Sequence, residues 1–210
     1  MTTLTTRPAH RSESGSLLAI CLEAFADEAV TAWVVPDPEA RLAGMREMLP
    51  ASLAAALDAG AVILAVGPDG EAVAASVWID KQGAPAAPVP PTAGDPVARR
   101  LAMVVSATAA RHPAVPHVYL SAMGTLPRWR GSGAGTAMLR HGLDRARGLG
   151  LPVYLEASTP SNRRLYARHG FSDHGPPVPL PDGGPVLQPM WHGTGTPWAY
   201  AGSDPLSNTR

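Results

Sequence analysis

The chain is short of cysteine, lysine, charge and aromatic residues, and each shortage narrows what it can be. Its 210 residues include one cysteine, Cys21, so no disulfide closes within the chain and no CxxC metal or redox site exists. A reducing, cytoplasmic setting is the expectation. Charged residues are 16% of the total against a usual ~25%. Lys+Arg 17 balance Asp+Glu 17, and a net charge of zero argues against a dedicated nucleic-acid binder, whose footprint is basic overall. No apolar run approaches the ~18 residues of a membrane span. The apolar stretch 17–26 is interrupted by Glu23 and preceded by Glu13, which argues against a signal peptide. Seven scattered histidines show no HExxH or similar spacing, so no metal is expected.

What is present is unevenly placed. Residues 1–96 carry twelve acids and five bases, whereas 97–171 carry eleven arginines and only two acids, Asp144 and Glu156. Lys81 is the single lysine. Such a split suggests that one part of the chain meets an anion. The 21 Gly and 23 Pro cluster at 83–96 and 175–197, which reads as loops on a globular body with 45% apolar residues. One domain over 1–192 is expected, with a mobile or docking tail over 193–210.

Local patterns order the elements. A short strand is expected within 2–8, then a helix over 17–28 capped by Ser14 or Ser16. Asp37-Pro38 opens another helix, whose apolar positions continue past Pro50 to Leu57 with a break expected at that proline. Segments 61–66 and 72–79 flank Pro68-Asp69-Gly70 as a hairpin. A helix over 96–111, a strand over 118–126, a helix over 136–149, a strand over 153–157, a helix over 161–169 ending at Gly170, and a strand over 186–191 complete a mixed α/β order.

The sharpest local feature lies between strand 118–126 and helix 136–149: Arg130-Gly131-Ser132-Gly133-Ala134-Gly135. Alternate glycines permit positive φ and close backbone approach. Amides of such a turn and of the next helix's first turn then point at one spot, a ready anion site. A Walker loop fails, because Gly135 is followed directly by Thr136. The dinucleotide fingerprint fails because Thr stands where its third glycine belongs, and a nucleophile elbow fails because Ser132 follows Gly131 directly.

The remaining pattern, R-x-x-G-x-G over Arg130–Gly135, resembles the acyl-CoA signature of the GCN5-related N-acetyltransferases (GNAT). The likeness extends through His117-Val118-Tyr119-Leu120 to Pro127, Leu155-Glu156-Ala157-Ser158, Pro160-Ser161-Asn162, Leu165-Tyr166 and Gly170-Phe171. Ala24-Phe25-Ala26-Asp27 followed by Asp37-Pro38 is similar to the puromycin N-acetyltransferase-like branch. Trp129 departs from the pattern but removes no backbone donor. The resemblance implies an α/β fold: a mostly antiparallel sheet, splayed at the fourth and fifth strands, with flanking helices. It also implies acetyl-CoA as cosubstrate, and its phosphates account for the arginines. Arg130 and Arg163 are the candidate partners, while Arg140, Arg145 and Arg147 read as a solvated helix face.

Direct transfer then needs a neutral amine, a donor for the developing oxyanion and a proton for the thiolate. The oxyanion donor carries over onto Met123-Gly124-Thr125, and the cofactor-binding turn onto Arg130, Gly131, Ser132, Gly133, Ala134, Gly135 and Thr136, with Asn162 and Arg163. Tyr166, one turn after Asn162, is the candidate proton donor or else a packing residue. Glu156 is the candidate base, through water, or else an Arg-paired structural carboxylate. His117 reads as solvent-facing, and His169 and His174 as loop residues. Phe25, Asp27, Glu28, Trp33 and Trp78 are candidates to hold a cationic amine, or else form an acidic helix end with core aromatics. The expected acceptor is a small-molecule primary amine such as an antibiotic or metabolite. The alternatives are a protein or peptide amine, or a CoA-binding sensor without catalysis. No nucleic acid or membrane partner is expected, and the protein is expected as a monomer or homodimer.

Overall fold

The computed structural model describes residues 4–83 and 94–193; the expected tail beyond 193 and most of the expected 83–96 loop lie outside them. The elements run β1 Thr5–Pro8, α1 Ser14–Ala24, α2 Ala29–Val34, α3 Pro38–Asp58, β2 Val62–Val66, β3 Ala72–Lys81, α4 Pro96–Ala109, β4 His117–Thr125, α5 Ala134–Gly148, β5 Val153–Ala157, α6 Pro160–Ala167, β6 Ser172–Asp173, β7 Val178–Pro179 and β8 Val186–His192. An eight-stranded sheet has the order β1-β2-β3-β4-β5-β8-β6, with β7 on β8. Every pairing is antiparallel except β4–β5. The fold class is therefore the expected mixed α/β.

The alternation of a strand places its residues on two faces. In β2, Ile63 and Ala65 join one core with Met138, Leu139 and Tyr166, under α5 and α6. Val62, Leu64 and Val66 join the other with Leu17, Leu53 and Leu57, under α1 and α3. A five-residue strand buried along its whole length is what an uninterrupted VILAV run requires.

Two helices differ from expectation. The segment expected as one helix over 17–28 stops at Ala24, and a separate α2 begins at Ala29. Glu28 caps α2, accepting from the amides of Val30 at 2.8 Å and Thr31 at 3.0 Å. Buried Arg41 clamps the connection, donating to the carbonyls of Ala26 and Val35, both at 2.7 Å. Helix α3, by contrast, runs unbroken through Pro50. That residue is exposed, so water can take the carbonyl its missing amide leaves free.

Candidate active site

The site begins where the sheet opens. Strands β4 and β5 are paired only at Val118↔Val153 and Tyr119↔Tyr154, and beyond Tyr119 they part. The Leu126 amide donates to Val73 on the β3 side at 3.0 Å. Because donors alternate along an antiparallel ladder, the amides of Met123 and Thr125 turn toward the gap. Strand β4 also carries a bulge: Val77 pairs with Ala122 and Trp78 with Leu120, leaving Ser121 without a partner in β3. The expected bulge or close approach at Gly124 is thereby divided between two residues. Gly124 is needed because a Cβ there would lie 2.8 Å from Ala24 and 3.0 Å from Phe25.

After β4 and one 3-10 turn, Gly131 and Gly133 take positive φ of 79° and 94°. A Cβ at either would meet nothing within 4 Å, so these glycines serve backbone conformation and not space. Helix α5 starts at Ala134, two residues earlier than expected. Ala134, Gly135 and Thr136 therefore form its first turn, whose amides have no partner within the helix. The Ser132 hydroxyl is buried with no hydrogen-bond partner among the described residues. A cavity of about 680 Å³ extends from this turn along Met123, Gly124 and Thr125 to Phe25, Asp27 and Glu28 at the α1–α2 connection. On its other wall Thr159 caps α6, accepting from the Asn162 amide at 3.1 Å, and Asn162 lines the cavity. Trp129 also lines it and packs into both cores.

This arrangement of turn, parting strands and cavity agrees with independent comparisons. The acetyltransferase (GNAT) family model matches residues 22–171. The chain belongs to the GNAT acetyltransferase family. It is an acetyl-CoA-dependent N-acetyltransferase by that membership. The chain is similar to a Corynebacterium glutamicum structure described as histone acetyltransferase HPA2 and related acetyltransferase, at 26% identity, TM-score 0.67, and coverage of 95% of this chain and 100% of that one. It also shares its fold with the Drosophila melanogaster polyamine N-acetyltransferase, at 19% identity, TM-score 0.62, and coverage of 90% and 99%. The PaiA N-acetyltransferase of Thermoplasma acidophilum, solved with coenzyme A, aligns at 11% identity, TM-score 0.60, and coverage of 90% and 98%.

The residues present fit the phosphates of the GNAT cosubstrate. Unpaired first-turn amides and exposed arginines border one end of the cavity, while Ser132, whose buried hydroxyl has no partner among the described residues, is not in the lining. The arginines are not all those expected. Arg163 points away and forms an ion pair with Asp173, whereas Arg164 and Arg168 line the cavity. Helical phase explains the exchange: Arg164 and Arg168 are four apart and share a face, and Arg163 is turned from it. Arg130 does border the cavity, but it crosses to Asp27 at 3.2 Å and to the Ala24 carbonyl at 3.3 Å. That contact holds the Asp27 carboxyl below its ordinary range.

The two acid–base candidates lie behind the cavity wall. Tyr166 is buried against Phe171, ring centres 5.8 Å apart. Burial, then the charge of Glu28, pushes its phenol up to about 12. Glu156 lies with Tyr119, His112 and Tyr154. Its Oε2 accepts from the Tyr119 hydroxyl at 2.9 Å, and its Oε1 has no hydrogen-bond partner among the described residues. Burial raises this carboxyl to about 7 against the relief given by Tyr119 and Tyr154. His112 Nε2 is 4.0 Å from Oε1, but burial lowers that imidazole to about 4, so at neutral pH the contact is no ion pair. The arginine partner weighed for Glu156 is absent among the described residues.

Two substrate candidates lie outside this cavity. Trp78 is fully buried on the α5 face, where a Cβ on Gly142 would come within 2.0 Å of its ring; its Nε1 donates to Ser76 at 2.9 Å. Trp33 packs against Leu180–Gly184 with Arg100 over its ring at 5.5 Å, away from the cavity. The Trp78 ring is thus a core aromatic of the alternative reading, whereas Trp33 is half-buried and belongs to neither core. His117, expected to face solvent, is 1% exposed and bonds the Val115 carbonyl at 2.8 Å. His174 lies in a loop as expected, between β6 and β7, and is buried on Trp191. Reading missed Arg41, Arg164 and Arg168. The i, i+4 spacing of the last two was the available signal, and nothing local marks Arg41.

Proposed function

We propose that the protein transfers acetyl from acetyl-CoA to a primary amine of a small molecule, by direct attack in a ternary complex. The observation that carries this reading is one continuous cavity of about 680 Å³ joining the glycine turn, the parted β4 strand and the carboxylates of the α1–α2 connection. On this reading phosphate site, thioester position and an acidic receiving end share one space. The fold shared with a polyamine N-acetyltransferase supports a small amine. The segments Ala24–Asp27 and Asp37-Pro38, which form that connection and open α3, support a place near the puromycin N-acetyltransferase-like branch.

The geometry supports one set of roles. Amides of Gly133–Thr136, with Arg164 and Arg168, hold the phosphates. An amide of β4, Met123 or Thr125, donates to the thioester carbonyl oxygen, where charge develops. Acetyl-CoA supplies the acyl group. Glu156, with a free oxygen and a pKa near neutrality, takes the amine's proton through water. Tyr166, protonated at any ordinary pH, gives a proton to the departing sulfur. Phe25 and Glu28 border the amine, while Asp27 keeps Arg130 in place.

The test is thiol release from acetyl-CoA with small amines and peptides, alongside calorimetry with CoA. Turnover of small amines is the expected result. Turnover confined to peptides would transfer the reading to a protein substrate, binding without turnover would indicate a sensor, and absence of CoA binding would end the reading. Tyr166→Phe is expected to lower kcat at saturating substrates by about tenfold or more, within the usual range for a lost general acid; unchanged kcat would remove the role.

A further inference from the structure

A second cavity adjoins the first along β4. Residues Met123–Thr125 line the coenzyme cavity, while the two before them, Ser121 and Ala122, line a separate space of about 500 Å³ under α1 and α3. Phe25 borders both and is the partition between them. The wall of the second space is mostly apolar: Leu49, Leu53 and Ala56 from α3, Val77, Trp78 and Ile79 from β3, and Ala122, with Cys21 of α1, the polar Ser52 and the Arg145 guanidinium at its edges. Its carboxylate, Asp80, is already held by Arg145 at 3.0 Å. The β4 bulge gives this space its floor, because Ser121, unpaired in the register, is turned into it and its hydroxyl is returned to the Val77 carbonyl at 3.4 Å.

We infer that this space receives the apolar body of the amine, so the acceptor is a primary amine bearing an extended alkyl or aryl group and no second cation. The inference rests on the acetyl-transfer reading above. Its occupant is argued from adjacency and chemistry: Phe25 borders both spaces, and its ring must turn aside for one ligand to occupy the two. At the rise of a strand, Ser121 lies about 10 Å from Gly124, a span that a hexylamine or phenethylamine bridges with its nitrogen at the β4 opening. A mostly apolar wall rewards burial of methylenes. A polyamine's second ammonium would be stripped of water there and would meet a carboxylate already neutralised by Arg145.

The decisive measurement is kcat/KM, at saturating acetyl-CoA, for the n-alkylamines from ethylamine to octylamine, with phenethylamine, putrescine and agmatine beside them. The expected result is a rise of about threefold to fourfold per methylene, as ~0.8 kcal/mol per buried CH₂ dictates, until the space is full. Hexylamine is expected to exceed putrescine by at least tenfold. Ala56→Trp, which fills the space from a half-exposed helix position, is expected to flatten the slope by lowering the hexylamine-to-ethylamine ratio at least fivefold. A flat series, a preference for the diamine or agmatine, or CoA binding with no amine turned over would each overturn the inference. Turnover of putrescine and agmatine alone would do so while leaving the acetyl-transfer reading standing; absence of CoA binding would remove both.

Discussion

Glu156 sits below the point where β4 and β5 part, and its environment makes a two-sided demand. Burial raises its carboxyl from the ordinary 4.5 to about 7, so the folded protein binds this proton more tightly than the unfolded chain does. Stability from this group is therefore greatest below about pH 4.5 and declines as pH rises to about 7. Activity is expected to run the other way, rising through pH 7 as the proposed base forms. Glu156→Gln is expected to remove the stability decline in denaturant titrations between these limits. It is also expected to lower kcat/KM about a hundredfold or more and abolish the acid limb of the rate profile. None of this was legible beyond the bare identity of one of two acids in a cationic stretch, because Tyr119 and His112 are brought to Glu156 only by the fold. The arginines make the same point. Arg168→Ala is expected to weaken CoA binding about tenfold, as loss of one charge-assisted phosphate contact does. Arg163→Ala, which breaks only the exposed pair with Asp173, is expected to leave the CoA Kd unchanged in the same calorimetric titration.

At the scale of elements, periodicity and turn residues predicted every strand and helix but α2 and the two-residue strands β6 and β7, since the others are written in residues a few positions apart. The exceptions are instructive. The break between α1 and α2 depends on Arg41, which reaches back 15 positions to the Ala26 carbonyl, and no local pattern announces such a clamp. The passage of α3 through Pro50 depends on which side of the helix faces water. The pairing of α5 with the sheet depends on Gly142 lying against Trp78. There, Gly142→Ala is expected to cost about 1–3 kcal/mol or more, since a Cβ would lie 2.0 Å from the indole, whose position is fixed in a filled core. Thermal unfolding checks it: Tm should fall, and Gly148→Ala, with nothing within 4 Å of its Cβ, should not lower it.

Over the whole molecule, the segregation of charge along the chain turns into pairing across the fold. Arg128 meets Glu23 and Glu71, Arg130 meets Asp27, and Arg145 meets Asp80, so much of the cationic stretch is answered by the acidic first part. Such exposed pairs each contribute little, and the anion role that the sequence pattern suggested for the stretch as a whole is proposed only for the arginines left facing the cavity. Because only the folded chain offers that cavity, CoA at a hundred times its Kd should stabilise the protein by about 2.7 kcal/mol, readable as a rise in Tm that dephospho-CoA reproduces less well. The early parting of β4 and β5 has one more consequence. An open sheet has two outer margins at which a foreign strand could add, but this sheet has two further margins inside it, along Leu120–Thr125 and Leu155–Ala157. They are bordered by the Phe25–Glu28 connection on one side and the start of α5 on the other. The protein thus keeps unpaired backbone in its middle without inviting aggregation, because the enclosure admits a slender ligand and shuts out another sheet.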